Sequence, residues 1–302
     1  MDSVSVPLDP FPANPASPPP SFFMLTPAKI NLYLRVLGSR PDSFHELRTV
    51  FLPLPGLCDR VEVVKTERPG LQLSCNDASL PCDADNICWR AAELFLAHFG
   101  LEASHSITLY KHIPVAAGLG GGSSDAAAVL LSLLQLHGLQ ERKEELHALA
   151  TQLGSDVPFF LDPKPALGSG RGEILEGLPM AGKLNLLLIN PGFPIPVSWA
   201  YQNMKRPKNA TVPDEKQLCQ AMAEGDCKKI AAYCWNDLEF AIFDKFPILQ
   251  IIREFLLSRA ALCVHVSGSG PSLFAILAPE TKEELYAAAL KQYGDFARIF
   301  LL

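Results

Sequence analysis

Four glycines within five positions, 118–122, are the feature that most restricts how this chain can fold. Glycine tolerates backbone conformations that other residues avoid, and it lets backbone N–H groups approach a bulky anion. The apolar spacing that follows predicts a helix over about 124–137, whose positive end would point at the same place. The pattern therefore predicts a phosphate-binding loop. The alternative is a tight turn in which Ser123 or Ser124 caps the helix.

Two common nucleotide-binding motifs are absent from this loop, which reads PVAAGLGGGSSD over residues 114–125. It lacks the G-K-[ST] ending of a P-loop nucleoside triphosphatase and the third glycine of the dinucleotide motif G-x-G-x-x-G. Neither of those two folds is therefore indicated.

Size and charge restrict the class of protein and its partners. The chain has 302 residues with 48% hydrophobic types, which favours a folded protein of about two domains with a ligand cleft between them. The net charge is −6 and no basic run interrupts the sequence, so nucleic acid and anionic membranes are not expected partners. No apolar stretch reaches the roughly 18 residues that a spanning helix needs.

The eight cysteines form no C-x-x-C pair and the seven histidines are scattered, so no zinc site is indicated and we expect reduced thiols. Residues 1–24 carry seven prolines and no Lys or Arg, which fits neither a secretory signal nor a transit peptide. We expect a flexible Pro-rich N-terminal extension there and a cytoplasmic protein. Met24 as the true start of translation is an alternative.

Periodicity along the chain predicts an α+β protein. From Leu25, alternation of apolar residues predicts a half-buried strand with Lys29 and Asn31 on its polar face. Residues 163–172 are predicted to be a loop-rich joint. We expect an N-terminal domain over 25–177 and a C-terminal domain over 178–302. Further strands are predicted at 49–53, 60–66, 106–113, 184–190, 262–266 and 272–277, and helices at 86–99, 141–153, 214–234, 246–259 and 280–293.

The motif GLGGGSSD resembles the ATP loop of the GHMP kinase superfamily, and four further segments resemble one branch of it. They are PAKINLYLRVLGSRPDSFHEL (27–47), GSDVPFFL (154–161), NDLE (236–239) and SGSGPS (267–272). The resemblance implies a ribosomal protein S5 domain 2-like N-terminal domain and a ferredoxin-like C-terminal domain. It also implies ATP-dependent phosphorylation of the 2-hydroxyl of 4-CDP-2-C-methyl-D-erythritol, in the non-mevalonate isoprenoid pathway.

By resemblance, Asp156 is the base that takes the proton from the substrate hydroxyl. Lys29 orients Asp156 and neutralises charge on the transferred phosphoryl group. Phosphoryl transfer asks mainly for positioning and charge stabilisation, which suits this pair. The alternatives are a helix N-cap for Asp156 and a solvated strand charge for Lys29.

The resemblance also implies a substrate site. Asn31 would hydrogen-bond the erythritol end, while Phe44 and Tyr201 would stack on cytosine and His45 would read the edge of the base. This chain has Pro196 and Val197 where the branch commonly has Ser-Thr, so a hydroxyl contact to the nucleotide is missing or has moved to Ser198. Alternatively, Trp199 and Tyr201 are core aromatics.

For ATP, the resemblance places Asn86 and Lys111 near the adenosine and assigns the phosphates to the glycine loop. The second glycine turn, residues 267–271, would face the substrate diphosphate or the site wall, or would be a simple hairpin turn. Mg²⁺ is expected with ATP; its ligands are unknown, with Ser124 as one candidate. The loop residues assigned to ATP are Pro114, Val115, Ala116, Ala117, Gly118, Leu119, Gly120, Gly121, Gly122, Ser123 and Ser124.

Two other functions remain open from sequence. One is a GHMP kinase of the mevalonate, homoserine or sugar type, which the Phe44-His45 pair disfavours. The other is a nucleotide binder that has lost activity, which the presence of Lys29 and Asp156 disfavours. The expected partner is a small-molecule substrate, and the chain is expected to be a monomer or a weak homodimer.

Overall fold

The computed structural model describes residues 20–207 and 209–302, and its first sheet is built on one long hairpin. β1 (Ser21–Ser39) and β2 (His45–Lys65) run antiparallel along most of their length. The other strands of this sheet are β3 (Gly70–Cys75), β4 (Ser104–Tyr110), β5 (Ala166–Ser169), β6 (Ile174–Gly177) and, from later in the chain, β8 (Trp235–Asn236). Their order is β3-β4-β2-β1-β8, with the β5–β6 hairpin paired to β2.

Three helices pack against the first sheet. They are α1 (Ile87–Phe99), α2 (Gly121–Leu136) and α3 (Leu146–Leu153), accompanied by two 3-10 helices, Gln140–Glu145 and Pro158–Leu161. The middle of α2 is buried between the sheet and α1, where its alanines fit closely, while its two ends are more accessible. The shared core includes Phe95, Val129, Leu133 and Phe159.

The second half of the chain forms a four-stranded antiparallel sheet flanked by helices. Its strands are β7 (Asn185–Asn190), β9 (Cys263–Val266), β10 (Leu273–Leu277) and β11 (Arg298–Leu301), in the order β11-β7-β10-β9. β10 is buried along its whole length. The helices are α4 (Val197–Gln202), α5 (Glu215–Glu224), α6 (Cys227–Tyr233), α7 (Glu239–Lys245), α8 (Pro247–Leu257) and α9 (Lys282–Tyr293).

The segment NDLE joins the two sheets. β8 pairs in parallel with β1, and the buried Asp237 accepts a hydrogen bond from the backbone N–H of Val36 at 2.8 Å. The amide of Asn236 donates to the carbonyls of Val266 and Gly268, at 2.8 Å each. One short segment therefore ties the strand that carries Lys29 to the end of β9.

Most predicted elements are present, and the differences have local causes. α2 begins at Gly121, three residues before the predicted start, because Gly120 supplies the left-handed residue that precedes it. The predicted helix over 141–153 divides into a 3-10 helix and α3. Sequence periodicity missed β3, β5, β6, β8, β11, α4 and α7, none of which is longer than seven residues.

Two predictions about the first sheet are wrong. The polar face of β1 is not half-exposed, since Lys29 and Asn31 are both buried. The segment predicted as a loop-rich joint forms the β5–β6 hairpin and joins the sheet. Glycine at position 168 allows this, because a Cβ there would lie 2.8 Å from the Phe51 ring.

The first sheet begins earlier than the predicted N-terminal domain. β1 begins at Ser21 rather than Leu25, because residues 21–24 pair with β2. The rest of the predicted flexible extension, residues 1–19, lies outside the described residues. β6 ends at Gly177 and β7 opens the second sheet at Asn185, while β8 returns to the first sheet. Within residues 20–207 and 209–302, no helix is long and apolar enough to cross a membrane.

We expect Asn236→Ala to lower the free energy of unfolding by about 2–4 kcal/mol, because it leaves two buried carbonyls without donors. Urea unfolding measures this loss. Asn203→Ala is the control: this exposed amide bonds only the Trp199 carbonyl, so we expect a change within about 0.5 kcal/mol. Equal losses in the two variants would contradict the link that we assign to Asn236.

Candidate active site

A cleft with a cavity volume of about 1010 Å³ lies between the two halves of the fold. β1, β2, the glycine loop and α4 all contribute side chains or backbone to its walls. The cleft brings together nearly all the predicted site residues; Ser124 alone does not line it. Those that do are Lys29, Asn31, Phe44, His45, Asn86, Lys111, Pro114, Val115, Ala116, Ala117, Gly118, Leu119, Gly120, Gly121, Gly122, Ser123, Asp156 and Tyr201.

Lys29 and Asp156 form an ion pair in this cleft. The Lys29 ammonium lies 3.3 Å from a carboxylate oxygen of Asp156; the lysine side chain is 5% exposed and the aspartate 33%. The backbone N–H of Lys29 donates to the Leu119 carbonyl at 2.9 Å, which holds β1 against the glycine loop. Lys29 is therefore not a solvated strand charge. Asp156 is not an N-cap, because Val157 occupies that position before the 3-10 helix.

The glycine loop owes two of its glycines to packing within the protein. Gly118 has a φ of +76°, and a Cβ there would lie 2.1 Å from the Ser267 carbonyl oxygen. Gly120, with a φ of +71°, is the N-cap of α2, and no side chain caps this end of the helix. Ser123 and Ser124 are therefore not the cap. The first N–H groups of α2 are left available to an anion at the cleft wall.

Gly122 has a different environment. A Cβ on Gly122 would meet only Ile87, at 3.7 Å, whereas a Cβ on Gly121 would lie 3.1 Å from Ile113 and 3.3 Å from the Lys111 ammonium. Position 122 thus faces the cleft and has room for a side chain. It is the position where a substitution would disturb a bound anion rather than the fold.

Lys111 is held beneath α2 by two buried carboxylates. Its ammonium pairs with Asp59 and lies 2.6 Å from a carboxylate oxygen of Asp125, which also accepts a hydrogen bond from Thr26. Burial raises the pKa of Asp125 to about 7, against the opposing effect of Lys111. The predicted contact of Lys111 with adenosine stays a prediction, and its ammonium already has two anionic partners.

Two further predicted residues are Asn86, whose side chain is hydrogen-bonded within the protein, and Ser124, whose hydroxyl is buried. The side-chain oxygen of Asn86 caps α1 by accepting a hydrogen bond from the N–H of Cys88 at 2.9 Å, and its side-chain nitrogen donates to the Pro81 carbonyl at 2.8 Å. The Ser124 hydroxyl is buried and has no hydrogen-bond partner among the described residues. The role of Ser124 as a metal ligand stays a prediction.

Aromatic side chains gather at the other end of the cleft. Phe44 is 49% exposed, and the Arg171 guanidinium lies 4.6 Å from the centre of its ring. The rings of His45 and Tyr201 stack with centroids 5.0 Å apart. Burial, with a smaller effect of Asp156, raises the pKa of Tyr201 above its usual range. Trp199 instead packs edge-on against Phe246, so only Trp199 fits the alternative of a core aromatic without access to the cleft.

The second glycine turn packs against the glycine loop and β1 at the wall of the cleft. The Ser267 hydroxyl donates to the Gly118 carbonyl at 2.9 Å, and a Cβ on Gly268 would lie 3.1 Å from the Asn31 carbonyl oxygen. Gly268 and Ser269 both line the cleft. This segment is thus part of the site wall and more than a simple hairpin turn.

Sequence reasoning missed several cleft residues, among them Arg171 and Thr49. Arg171 lies in the turn of the β5–β6 hairpin, where the glycines of the sequence predict an irregular joint. Thr49 lies within β2 and belongs to none of the motifs. Val197 lies where the branch commonly has a hydroxyl side chain. It is 59% exposed and lines the cleft, so the cleft lacks a hydroxyl at this position.

Comparisons with known proteins agree with this fold. Family models for the GHMP kinases N terminal domain and the GHMP kinases C terminal domain match residues 86–162 and 216–295. The two-domain fold and the glycine loop thus define a GHMP kinase. A solved homoserine kinase from Cytophaga hutchinsonii, 20% identical, shares the fold with a TM-score of 0.75 over 93% of this chain and 94% of its own.

More similar proteins narrow the family. The 4-diphosphocytidyl-2-C-methyl-D-erythritol kinase of Geobacter sp. (strain M21) is 38% identical, over 91% of this chain and 96% of its own length. That of Methylacidiphilum infernorum is 44% identical, over 84% of this chain and 85% of its own. A crystal structure of 4-(cytidine 5'-diphospho)-2C-methyl-D-erythritol kinase is 34% identical with a TM-score of 0.77, covering 93% of this chain and 98% of that one. The chain belongs to the 4-diphosphocytidyl-2-C-methyl-D-erythritol kinase family.

We expect Gly122→Val to weaken ATP binding at least about tenfold, because the new side chain would fill space beside the first turn of α2 without a clash inside the protein. Isothermal calorimetry measures the affinity, and circular dichroism verifies the fold. Gly177→Val is the control, since a Cβ on Gly177 meets nothing within 4 Å and this residue is exposed outside the cleft. Unchanged ATP affinity in folded Gly122→Val would contradict a phosphate site at this loop.

Proposed function

We propose that this protein transfers the γ-phosphoryl group of ATP to the 2-hydroxyl of 4-CDP-2-C-methyl-D-erythritol, a step of the methylerythritol phosphate route to isoprenoid precursors. The observation that carries the proposal is the Lys29–Asp156 pair, 3.3 Å apart, between a glycine loop and an aromatic slot in one cleft. We define the slot as Phe44, His45 and Tyr201. Membership of the kinase family supports the choice of substrate.

Asp156 and Lys29 would have different roles in the transfer. The Asp156 carboxylate accepts the proton of the 2-hydroxyl while that oxygen bonds to the γ-phosphorus and the bond from the γ-phosphorus to the bridging oxygen of ATP breaks. The Lys29 ammonium neutralises charge on the equatorial phosphoryl oxygens and keeps Asp156 oriented. Exposure of Asp156 at 33% leaves its carboxylate accessible to a substrate hydroxyl.

The glycine loop would bind the phosphates of ATP through the N–H groups at the start of α2. Mg²⁺ would accompany ATP and reduce the negative charge of the phosphates. The part of the chain that the structure describes has no cluster of three His, Cys, Asp or Glu side chains suited to a metal. This composition fits an ion that is bound mainly by phosphates and water, as Mg²⁺ commonly is.

The aromatic slot would bind the cytidine end of the substrate. Phe44 and Tyr201 supply ring faces, and the nitrogens of His45 can read the edge of the base. In the described conformation Arg171 covers one face of Phe44 and His45 covers one face of Tyr201. A cytosine would therefore stack on a remaining ring face, and Ser198 at the rim would supply the hydroxyl that Val197 lacks.

Product analysis tests the function directly. Purified protein is incubated with ATP, Mg²⁺ and 4-CDP-2-C-methyl-D-erythritol, and the product is examined by mass spectrometry. We expect a substrate that has gained one phosphoryl group, with ADP formed in equal amount. A protein that leaves this substrate unchanged but phosphorylates mevalonate, homoserine or a free sugar would contradict the proposal.

We expect Asp156→Asn to lower kcat by about 10² or more while both substrates still bind, because the amide cannot accept the hydroxyl proton. Lys29→Ala should also lose rate. If the pair acts as a unit, the fold-decrease of kcat in the double variant should be smaller than the product of the two single fold-decreases. Rapid-quench measurement of the chemical step gives all three values.

Asp162→Asn is the matched control for this series. Asp162 lies six positions further along the chain and pairs only with Lys164 on the surface, so its kcat should equal that of the wild type. A near-normal chemical step in Asp156→Asn would remove Asp156 from the role of base.

We expect Phe44→Ala and Tyr201→Ala each to raise the substrate KM by roughly ten- to a hundredfold, because stacking on a base is worth about 1–3 kcal/mol. ATP affinity should change little. His45→Ala should instead reduce discrimination between cytidine and uridine diphospho-substrates, because a site that bonds a base edge rejects the wrong edge. Steady-state kinetics with both substrates measures these effects.

The uridine analogue and 2-C-methyl-D-erythritol 4-phosphate are the controls for the slot. Wild-type protein should use both poorly. If the wild type phosphorylates either compound as efficiently as 4-CDP-2-C-methyl-D-erythritol, the aromatic slot does not bind cytidine.

A further inference from the structure

A chain of directed hydrogen bonds lies behind Lys29. The Thr49 hydroxyl donates to the Tyr33 carbonyl at 2.8 Å, and the Asn31 amide nitrogen donates to the Thr49 hydroxyl oxygen at 2.8 Å. The Lys29 ammonium donates to the Asn31 carbonyl oxygen at 2.7 Å. Lys29, Asn31 and Thr49 are all 4% exposed or less, so water does not substitute for these bonds.

The acceptor at the end of the chain determines the direction of every bond in it. A backbone carbonyl only accepts, so the single hydroxyl hydrogen of Thr49 goes to Tyr33 and its oxygen is left to accept. The Asn31 amide must then turn its nitrogen to Thr49 and its oxygen to Lys29. The opposite orientation would place the NH₂ group against the ammonium, with two donors facing each other and neither satisfied.

The strand register brings these groups together. β1 and β2 pair Asn31 with Phe51 and Tyr33 with Val50, so the register shifts by one residue between them. This irregularity places Thr49 beside both the Tyr33 carbonyl and the Asn31 amide. On its other side the Thr49 methyl packs against Gly168 of β5, where a Cβ would come within 2.9 Å of it. The hydroxyl and the methyl of Thr49 therefore serve different neighbours.

We propose that Thr49 is a positioning residue for phosphoryl transfer, whose hydroxyl fixes the Asn31 amide and through it the Lys29 ammonium opposite Asp156. The inference rests on the proposed function of this cleft. Lys29 has three N–H donors, of which one meets Asn31 and one faces Asp156. The third is left for a phosphoryl oxygen.

The same chain determines what Asn31 offers to the substrate. With its oxygen bonded to Lys29 and one N–H bonded to Thr49, Asn31 has a second N–H for a ligand in the cleft that it lines. It therefore acts as a donor to the 2-hydroxyl oxygen and leaves Asp156 to accept the hydroxyl proton. A flipped amide would compete with Asp156 for that proton.

Thr49→Val and Thr49→Ser separate the two roles of this side chain. Valine keeps the shape and loses the hydroxyl, so we expect kcat to fall about tenfold or more, with both KM values within about threefold of wild type. Serine keeps the hydroxyl and loses the methyl that packs on Gly168, so we expect kcat within about threefold despite a lower Tm. If Thr49 had only a structural role, the variant with the larger loss of Tm would also show the larger loss of kcat.

Each outcome of this comparison is decisive. Wild-type kcat in folded Thr49→Val, or equal kcat losses in the valine and serine variants, would overturn the role of Thr49. If Thr49→Val does not fold, Thr49→Ala replaces it, because alanine and serine differ only by the hydroxyl, and equal kcat in those two would overturn the role. Wild-type protein without kinase activity on 4-CDP-2-C-methyl-D-erythritol would contradict the proposed function instead.

Discussion

The structure depends on a lysine ammonium buried at the junction of its two halves. Burying a charge costs several kcal/mol unless partners compensate it, and Lys29 is 5% exposed on the side chain. Its compensation comes from Asn31 on the same strand and from Asp156 in the turn after α3, with the ring of Phe51 5.4 Å from the ammonium. A cation held in this way is preorganised for a phosphoryl group, and the surrounding strands and turns are arranged to keep it there.

Two glycine turns make this arrangement possible by bringing backbone close to backbone. Gly118 and Ser267 belong to different halves of the chain, yet the space for a Cβ at Gly118 is already occupied by the Ser267 carbonyl. Asn236 holds the second turn from behind through Gly268, and Asp237 anchors the same segment to β1. The cleft therefore has walls fixed relative to each other, which suits a reaction whose catalysis rests on positioning.

The sequence could predict the residues of the site better than their environment. Alternation along β1 correctly put Lys29 and Asn31 on one face, and the glycine cluster correctly marked the start of α2 to within three residues. Alternation could not show that the polar face of β1 is buried, because Gly120 lies against Lys29 and Gly268 lies against Asn31, both far along the chain. The pairing of Lys111 with Asp59 spans 52 positions, and the hydroxyl of Thr49 has no motif to mark it. Elements of two to four residues, such as β5, β6 and β8, are too short for periodicity to register.

A crystal structure of the protein with a non-hydrolysable ATP analogue and 4-CDP-2-C-methyl-D-erythritol tests the central claim most directly. The claim is that Asp156 meets the reacting hydroxyl and Lys29 the transferred phosphoryl group, while the glycine loop binds the triphosphate. We predict the 2-hydroxyl oxygen within about 3 Å of the Asp156 carboxylate, with the γ-phosphate in line with it and a γ-phosphate oxygen within about 3 Å of the Lys29 ammonium. A ternary complex in which another hydroxyl occupies that position, or in which the triphosphate lies away from the start of α2, would contradict the account.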